Sequence, residues 1–346
     1  MADSAPIEIG IIGSGFMART YAACLASSVQ GARLVAVAGG SRAPQLAADY
    51  GVTAAIDAST LVEDPNVAAV IIATPESTHR DLTLLAARAG KHVLVEKPMA
   101  PTVRQCDEMI EACNQANVQL MVVQSQRFRG VHRRAYESLS TGQIGKVRQI
   151  RHWSHQTESF SAALAAQNPF VLDPAGIGLQ MGWSVHCFDL VRWLAGSEAR
   201  SVFAHATTYS GSTVSDLSLM AQIEFLNGVT AQIWVCLEMP GATFAGSPLQ
   251  TQVVGESGLM SLDGYAHFDL STGVGWERIW QQPPMNLSDP SDPVRLESFS
   301  RLVQEFVDAI QAHRPPSVTG LDGRAAVALC LAALESAKRR QPVNLV

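Results

Sequence analysis

Gly10-Ile11-Ile12-Gly13-Ser14-Gly15-Phe16-Met17-Ala18 is the stretch on which the fold turns. It closes a short apolar run, Ile7 to Ile12, of the kind that forms a strand buried on both faces. It opens a helical stretch from Phe16 to Ala26. Gly13 permits a tight turn, and Gly15 puts no side chain in the way of a pyrophosphate lying over the first helical N–H groups. Ala18 is small enough for the helix to close onto the strand, and Ser14, Phe16 and Met17 complete the expected dinucleotide cradle. A glycine triplet alone is a weak signal. Its weight comes from standing after a strand, before a helix, at the head of a β/α alternation.

That alternation runs outward from the cradle. Strands are expected at Arg33–Ala38, Val67–Ala73, Lys91–Val95 and Val118–Gln124, with helices ending at Tyr50, spanning Glu76–Ala89 and spanning Pro101–Ala116. Strands separated by helices imply a parallel, doubly wound sheet, which binds ligands at the carboxyl ends of its strands. Gly13, Ser41, Thr74 and Lys97 all fall at such ends. A fold that prefers NAD usually carries an acid after its second strand, to hold the ribose 2′-hydroxyl. Here no acidic residue occurs between Glu8 and Asp49, and Ser41-Arg42 occupies the place. A hydroxyl and a guanidinium suit a 2′-phosphate, so NADP is favoured over NAD. In the plainer reading Ser41-Arg42 is a solvated loop and NAD still binds.

The chain has 346 residues, enough for two domains, read as 1–125 and 126–346. With 47% hydrophobic and 16% charged residues it can bury a large core. A net charge of −6 without a long basic run argues against nucleic acid. No apolar stretch approaches the roughly 18 residues of a membrane span, and the start lacks the pattern of a signal peptide. Six scattered cysteines without a C-x-x-C pair read as reduced thiols, and a cytoplasmic location is expected.

Beyond residue 126 the pattern changes. Lys146–His155, Arg200–Tyr209, Asp216–Phe225, Val229–Leu237 and Gln250–Val254 read as strands of an open, mainly antiparallel sheet, with Asn227-Gly228 as a hairpin turn. One face is apolar (Leu219, Ala221, Ile223, Ile233, Val235). The other carries Met220, Trp234 and Cys236, more apolar surface than water requires. That face is either a contact between subunits of a homo-oligomer or is covered by the chain's own loops. Between the first two strands, Trp183–Leu194 has helical periodicity with Val185, Phe188, Val191 and Leu194 inward. His186 and Asp189 then share a face, where a carboxylate-oriented imidazole could act as acid or base. Gln126, Arg127, Trp153 and His155 are candidate pocket residues, with packing an equal reading for the last two. His152 and His155 would point to opposite strand faces, so no metal site is expected.

With these elements in view the chain resembles the glucose–fructose oxidoreductase/inositol dehydrogenase/MocA family over nearly its whole length. The resemblance rests on Gly13-x-Gly15-x-x-Ala18, on Ala73-Thr74-Pro75-x-x-x-His79 and on Ala89-Gly90-Lys91-His92-Val93-Leu94-Val95-Glu96-Lys97-Pro98. It rests also on His186-x-x-Asp189 after Gly176-x-Gly178, and on a tail with Pro316, Gly320, Ser336 and Pro342-Val343. It implies a Rossmann domain followed by an α/β domain whose open antiparallel sheet packs between subunits as a dimer or tetramer. It implies a cofactor site built from Ala73, Thr74, Pro75, His79, Glu96, Lys97 and Pro98 besides the cradle. Lys97 would contact the reacting hydroxyl and the cofactor ribose, Pro98 would hold it through a cis peptide, and His186 would be the general acid/base. Small-molecule substrates with secondary alcohols are implied: sugars, cyclitols or dihydrodiols.

The chain departs from the family pattern at Gly182, where an aspartate is usual, and at Ser184, where glycine is usual. A polyol thereby loses an anchor, while Trp183 offers a flat apolar surface and one N–H donor, which suits a flatter, less hydroxylated substrate. Two other functions remain open at this point. One is glycoside cleavage by transient oxidation on a retained NAD, in which cofactor is not consumed. The other is a cofactor-sensing protein without turnover, against which Lys97 and His186 both argue.

Overall fold

β1 (Ile7–Ile12) is buried along its length except at Glu8, and it lies inside a six-stranded sheet. The computed structural model describes residues 5–167, 177–212 and 214–346. After β1 follow α1 (Phe16–Ser27), β2 (Ala32–Ala38), α2 (Ala43–Asp49), β3 (Thr53–Ala54) and α3 (Ala58–Glu63). Then come β4 (Ala69–Ile72), α4 (His79–Arg88), β5 (His92–Val95), α5 (Val103–Gln115) and β6 (Leu120–Val122). The strand order is β3-β2-β1-β4-β5-β6 and every pairing is parallel. The order reverses direction between β1 and β4, which is where such sheets open a ligand crevice. This is the doubly wound sheet expected from the alternation. β3 and α3 were not anticipated: a two-residue strand carries no periodicity, and α3 has under two turns. Its one local signal is Asp57, whose carboxylate caps it by accepting the Thr60 N–H at 2.8 Å.

The chain continues through α6 (Gly130–Ser140), β7 (Val147–Thr157), α7 (Glu158–Gln167), α8 (Gly178–Ala195), β8 (Ala199–Thr207), β9 (Ser218–Phe225) and β10 (Thr230–Met239). It closes with β11 (Leu249–Gly255), β12 (Leu259–Asp263), β13 (His267–Ser271), β14 (Glu277–Gln281), α9 (Pro293–Gln311), α10 (Gly320–Arg339) and β15 (Val343–Asn344). The second sheet has nine strands in the order β14-β13-β12-β11-β7-β10-β9-β8-β15. It is antiparallel except where β7 and β10 run parallel. The hairpin stands where Asn227-Gly228 placed it, with Gly228 at φ +84° and Asn227 Oδ1 accepting the Val229 N–H. Leu219, Ala221, Ile223, Ile233 and Val235 are all buried on the inner face, packed with α8 and the end of α10. On the other face Met220 is 53% exposed and Trp153 and Trp234 are half-buried, opposite one another in register.

Two compact units result. The first comprises the chain to Phe128 together with Met285–Arg324, and the second comprises Arg129–Pro284 with Ala325–Val346. A sequence boundary at 125/126 therefore differs from this division chiefly in assigning 285–324 to the second part. The reason is packing. α9 buries Phe299, Leu302, Val303 and Phe306, and Phe299 lies edge-on to Tyr21 of α1. The Val122 N–H also donates to the Val318 carbonyl, extending the β6 edge of the first sheet. An amphipathic helix shows in sequence that it has a buried face, but not which sheet it covers. All six cysteines are buried and unbridged, and no described helix is long and apolar enough to cross a membrane.

Candidate functional site

In the first unit the expected cofactor residues gather at the carboxyl ends of β1, β2, β4 and β5. Gly13 turns with φ +124°, and a methyl group placed on it would stand 2.3 Å from the Ala73 carbonyl oxygen. Only glycine allows the β1 and β4 ends to come so close. Gly15 caps α1 from an extended conformation with no side-chain hydrogen bond. A methyl on Gly15 would meet nothing nearer than an Arg42 guanidinium nitrogen at 3.9 Å. The space beside Gly15 is thus open at the positive end of a twelve-residue helix without a side-chain cap, which fits a pyrophosphate. Ala18 is fully buried behind them, Met17 is half-buried, and Phe16 is exposed with the Arg295 guanidinium 4.8 Å above its ring.

The β2 end lies alongside. A methyl on Gly40 would fall 2.5 Å from Ser14 Oγ, so the Gly39-Gly40 turn packs against the cradle itself. It carries Ser41 and Arg42, both exposed, to its flank. Among the described residues Arg42 makes no side-chain ion pair, whereas Arg33 on β2 is paired with Glu8.

At the β4 and β5 ends, His79 is fully buried with Nδ1 2.9 Å from the Pro98 carbonyl and Nε2 2.9 Å from the Thr74 carbonyl. It ties the Ala73-Thr74-Pro75 loop to the Glu96-Lys97-Pro98 turn. Thr74 Oγ1 bonds Thr78 Oγ1 at 2.7 Å, fixing the same loop. Burial holds the His79 imidazole below its ordinary pKa, against the pull of its two carbonyls and of Glu76. The Lys97–Pro98 peptide is cis. Lys97 is half-buried, and loss of solvent pulls its ammonium pKa down, opposed by the charges of Glu96 and Glu76.

Three residues near this edge were not singled out in the sequence. Tyr21 is fully buried and donates to Glu96 Oε1 at 2.5 Å; its partner is 75 positions away, so nothing local marked it. Glu76 is buried in the turn before α4. Gln124, just past β6, is 1% exposed with neither amide atom hydrogen-bonded among the described residues. Gln126 and Arg127, expected at the start of the second domain, instead belong to the first unit. Both are buried, and Arg127 pairs with Asp322 at 3.1 Å.

In the second unit α8 carries the other candidates. Gly176 lies outside the described residues. Gly182, Trp183 and His186 are half-buried on one stripe, while Val185, Phe188 and Asp189 are fully buried. Arg192 makes a forked ion pair with Glu198. Trp183 Nε1 donates to Ser154 Oγ at 2.9 Å, and its ring meets Phe160 edge-on at 6.0 Å. The indole N–H is thus spent inside the protein, and Trp183 offers its ring rather than a donor.

The same bond fixes the β7 register. Since Ser154 faces α8, Trp153 and His155 point to the opposite face of the sheet, where Trp153 is half-buried and His155 buried. There Arg151 lies 5.2 Å over Trp153, and His155 packs against Phe244. His152, on the inner face, bonds Thr251 Oγ1 at 2.8 Å. No cluster of three or more potential metal ligands occurs among the described residues.

Comparison with known proteins bears on the whole chain. The model of an oxidoreductase family with an NAD-binding Rossmann fold matches residues 7–124, and that of the GFO/IDH/MocA C-terminal domain matches residues 132–261. The chain is 29% identical over 336 residues to inositol 2-dehydrogenase 2 of Saccharopolyspora erythraea, covering 95% of this chain and 93% of that one. It is 26% identical to the scyllo-inositol 2-dehydrogenase (NAD(+)) of Bacillus subtilis, over 98% of this chain and 96% of that one. In fold it matches an oxidoreductase from Agrobacterium radiobacter, crystallised with NAD+, L-tartaric acid and magnesium, with TM-score 0.86, 21% identity and 98% of each chain covered.

Proposed function

The chain belongs to the GFO/IDH/MocA oxidoreductase family, and from that premise we propose that it moves a hydride between a nicotinamide cofactor and a secondary alcohol or its ketone, with Lys97 and His186 handling the proton. When bound, the nicotinamide supplies the hydride chemistry. The residues present fit such a group. Gly13, Gly15 and the α1 amides would hold the pyrophosphate, and the Ala73–Pro75 loop would flank it. Arg42, at the cradle's flank with no acid beside it, would receive a ribose 2′-phosphate, which favours NADP although relatives such as the Bacillus subtilis enzyme are named for NAD(+).

Lys97 carries the reading. It is an amine with a lowered pKa, facing the charges of Glu96 and Glu76 on the same sheet edge as the cradle. An amine with its pKa so lowered can take a hydroxyl proton, and the His186 imidazole is the second candidate acid or base. Gly182 and Trp183 support a substrate with one flat, sparsely hydroxylated flank: a modified sugar, cyclitol or dihydrodiol rather than a fully hydroxylated ring. The open face with Met220 and Trp234 supports a homo-oligomer, and a cytoplasmic site of action belongs to the same proposal.

The test begins with fluorescence titration of NADH and NADPH, followed by a panel of sugars, cyclitols and dihydrodiols. Lys97→Met should then leave cofactor binding largely intact but turn over at least ~100-fold more slowly. Near-normal turnover in that variant overturns the role of Lys97.

A further inference from the structure

Glu96 is a carboxyl group where carboxylates are hard to keep. It is 6% exposed, next to the amine that the reaction is proposed to use. Burial alone raises its pKa, because an ion loses its hydration there. Both of its oxygens are nonetheless occupied by donors. Oε1 takes the Tyr21 hydroxyl at 2.5 Å and Oε2 takes the Lys97 backbone N–H at 3.0 Å. Against that burial the charge of Lys97, then the Tyr21 hydroxyl and the Lys97 N–H, favour the charged form.

Tyr21 is built for this task. It sits on the buried face of α1 with no exposed surface, and Phe299 of α9 lies edge-on to it at 5.8 Å and 75°, fixing the ring. Burial and the adjacent carboxylate push its own ionisation well above the ordinary phenol value, so it stays a donor at every working pH. The other titratable groups around this pair are accounted for. Cys24 of α1 is pushed up to about 11 by burial and stays neutral. His79, from the β4–α4 side, is held low by burial and is neutral at pH 7. The charges that Lys97 meets are therefore those of Glu96 and Glu76.

We propose that Tyr21 is a positioning residue whose hydroxyl, held on Glu96 Oε1, favours the carboxylate form and thereby tunes the acidity of the Lys97 amine. The proposal rests on Lys97 as the proton handler only for its effect on rate. Removing the phenol hydroxyl takes one of two donors from the carboxylate. Glu96 then protonates more readily, Lys97 loses part of the negative field that holds its proton, and its pKa falls.

The chain has only four lysines, Lys91, Lys97, Lys146 and Lys338, so the amine can be watched directly. The full-length protein labelled at lysine Cε is titrated by NMR without added cofactor. The Lys97 signal is assigned by its loss in Lys97→Met. In Tyr21→Phe, which keeps the ring against Phe299, the Lys97 midpoint should fall by about half a pH unit or more. The acid limb of kcat/KM for alcohol oxidation should fall with it, and cofactor affinity should stay within about twofold. Should Tyr21→Phe fail to fold, Glu96→Gln removes the same charge at nearly the same volume, and the midpoint should again fall. An unmoved or raised Lys97 midpoint in a folded variant overturns the proposal. A fallen midpoint with an unmoved rate limb upholds it and overturns the proton-handling role of Lys97 instead.

Discussion

A ribose 2′-hydroxyl needs an acceptor, and a ribose 2′-phosphate needs a cation. In the proposed NADP reading, Arg42 would supply the second at the place where an acid would supply the first. A charge-assisted hydrogen bond contributes about 1.5–3 kcal/mol, so Arg42→Ala should weaken NADPH binding roughly 10–100-fold. NADH binding should change little. Equal losses for both cofactors, measured by fluorescence titration, would show that Arg42 does not face the 2′ position. Gly13 was legible in the sequence because its signal is local: a glycine where the chain must turn at φ +124°. Tyr21 was not legible. A tyrosine on the apolar side of a helix looks like any core aromatic until the fold brings Glu96 to its hydroxyl.

At the scale of elements, α8 is the segment where specificity should be adjustable. A side chain on Gly182 would enter open space among the described residues, one turn before His186. Gly182→Asp should fold without loss, since glycine inside a helix is roughly 0.5–1 kcal/mol less favourable than alanine and aspartate is no worse than glycine. The added carboxylate should raise kcat/KM for fully hydroxylated cyclitols relative to flatter alcohols. An unchanged preference in the folded variant would place the substrate away from this turn. The helix itself was readable from Val185, Phe188, Val191 and Leu194, all of which are buried. The Trp183–Ser154 bond was not, because it depends on which face of β7 turns toward α8. For the same reason Trp153 and His155 could be placed on one strand face, but that face could not be told from the other. β12 to β14 escaped notice as well, being five residues each, too short for a clear alternation.

For the whole molecule, acid is the expected weakness. His152 is fully buried in the second unit, with Nε2 unpartnered among the described residues, and burial together with nearby His132 pulls its pKa down to about 3. The unfolded chain protonates this ring near its ordinary value of 6.5, whereas the folded chain does not until about pH 3. Its contribution is thus intact above pH 6.5 and erodes below it, by about 1.4 kcal/mol per pH unit. Thermal unfolding should show the melting temperature falling from pH 6.5 to pH 4.5, and falling less steeply in His152→Gln. Parallel curves would assign the acid sensitivity to other groups.

The two sheets themselves were legible, one from strand–helix alternation and the other from hairpin spacing. The assignment of residues 285–324 was not, and it matters beyond anatomy. A ribosome releases the chain in order, so β1 to β6 emerge long before α9, the helix that buries Phe299 beside Tyr21. Until some three hundred residues have been synthesised, the nascent Rossmann layer must wait with the α1 flank uncovered. The nucleotide-binding half of this protein is therefore started before the second sheet and finished only after it.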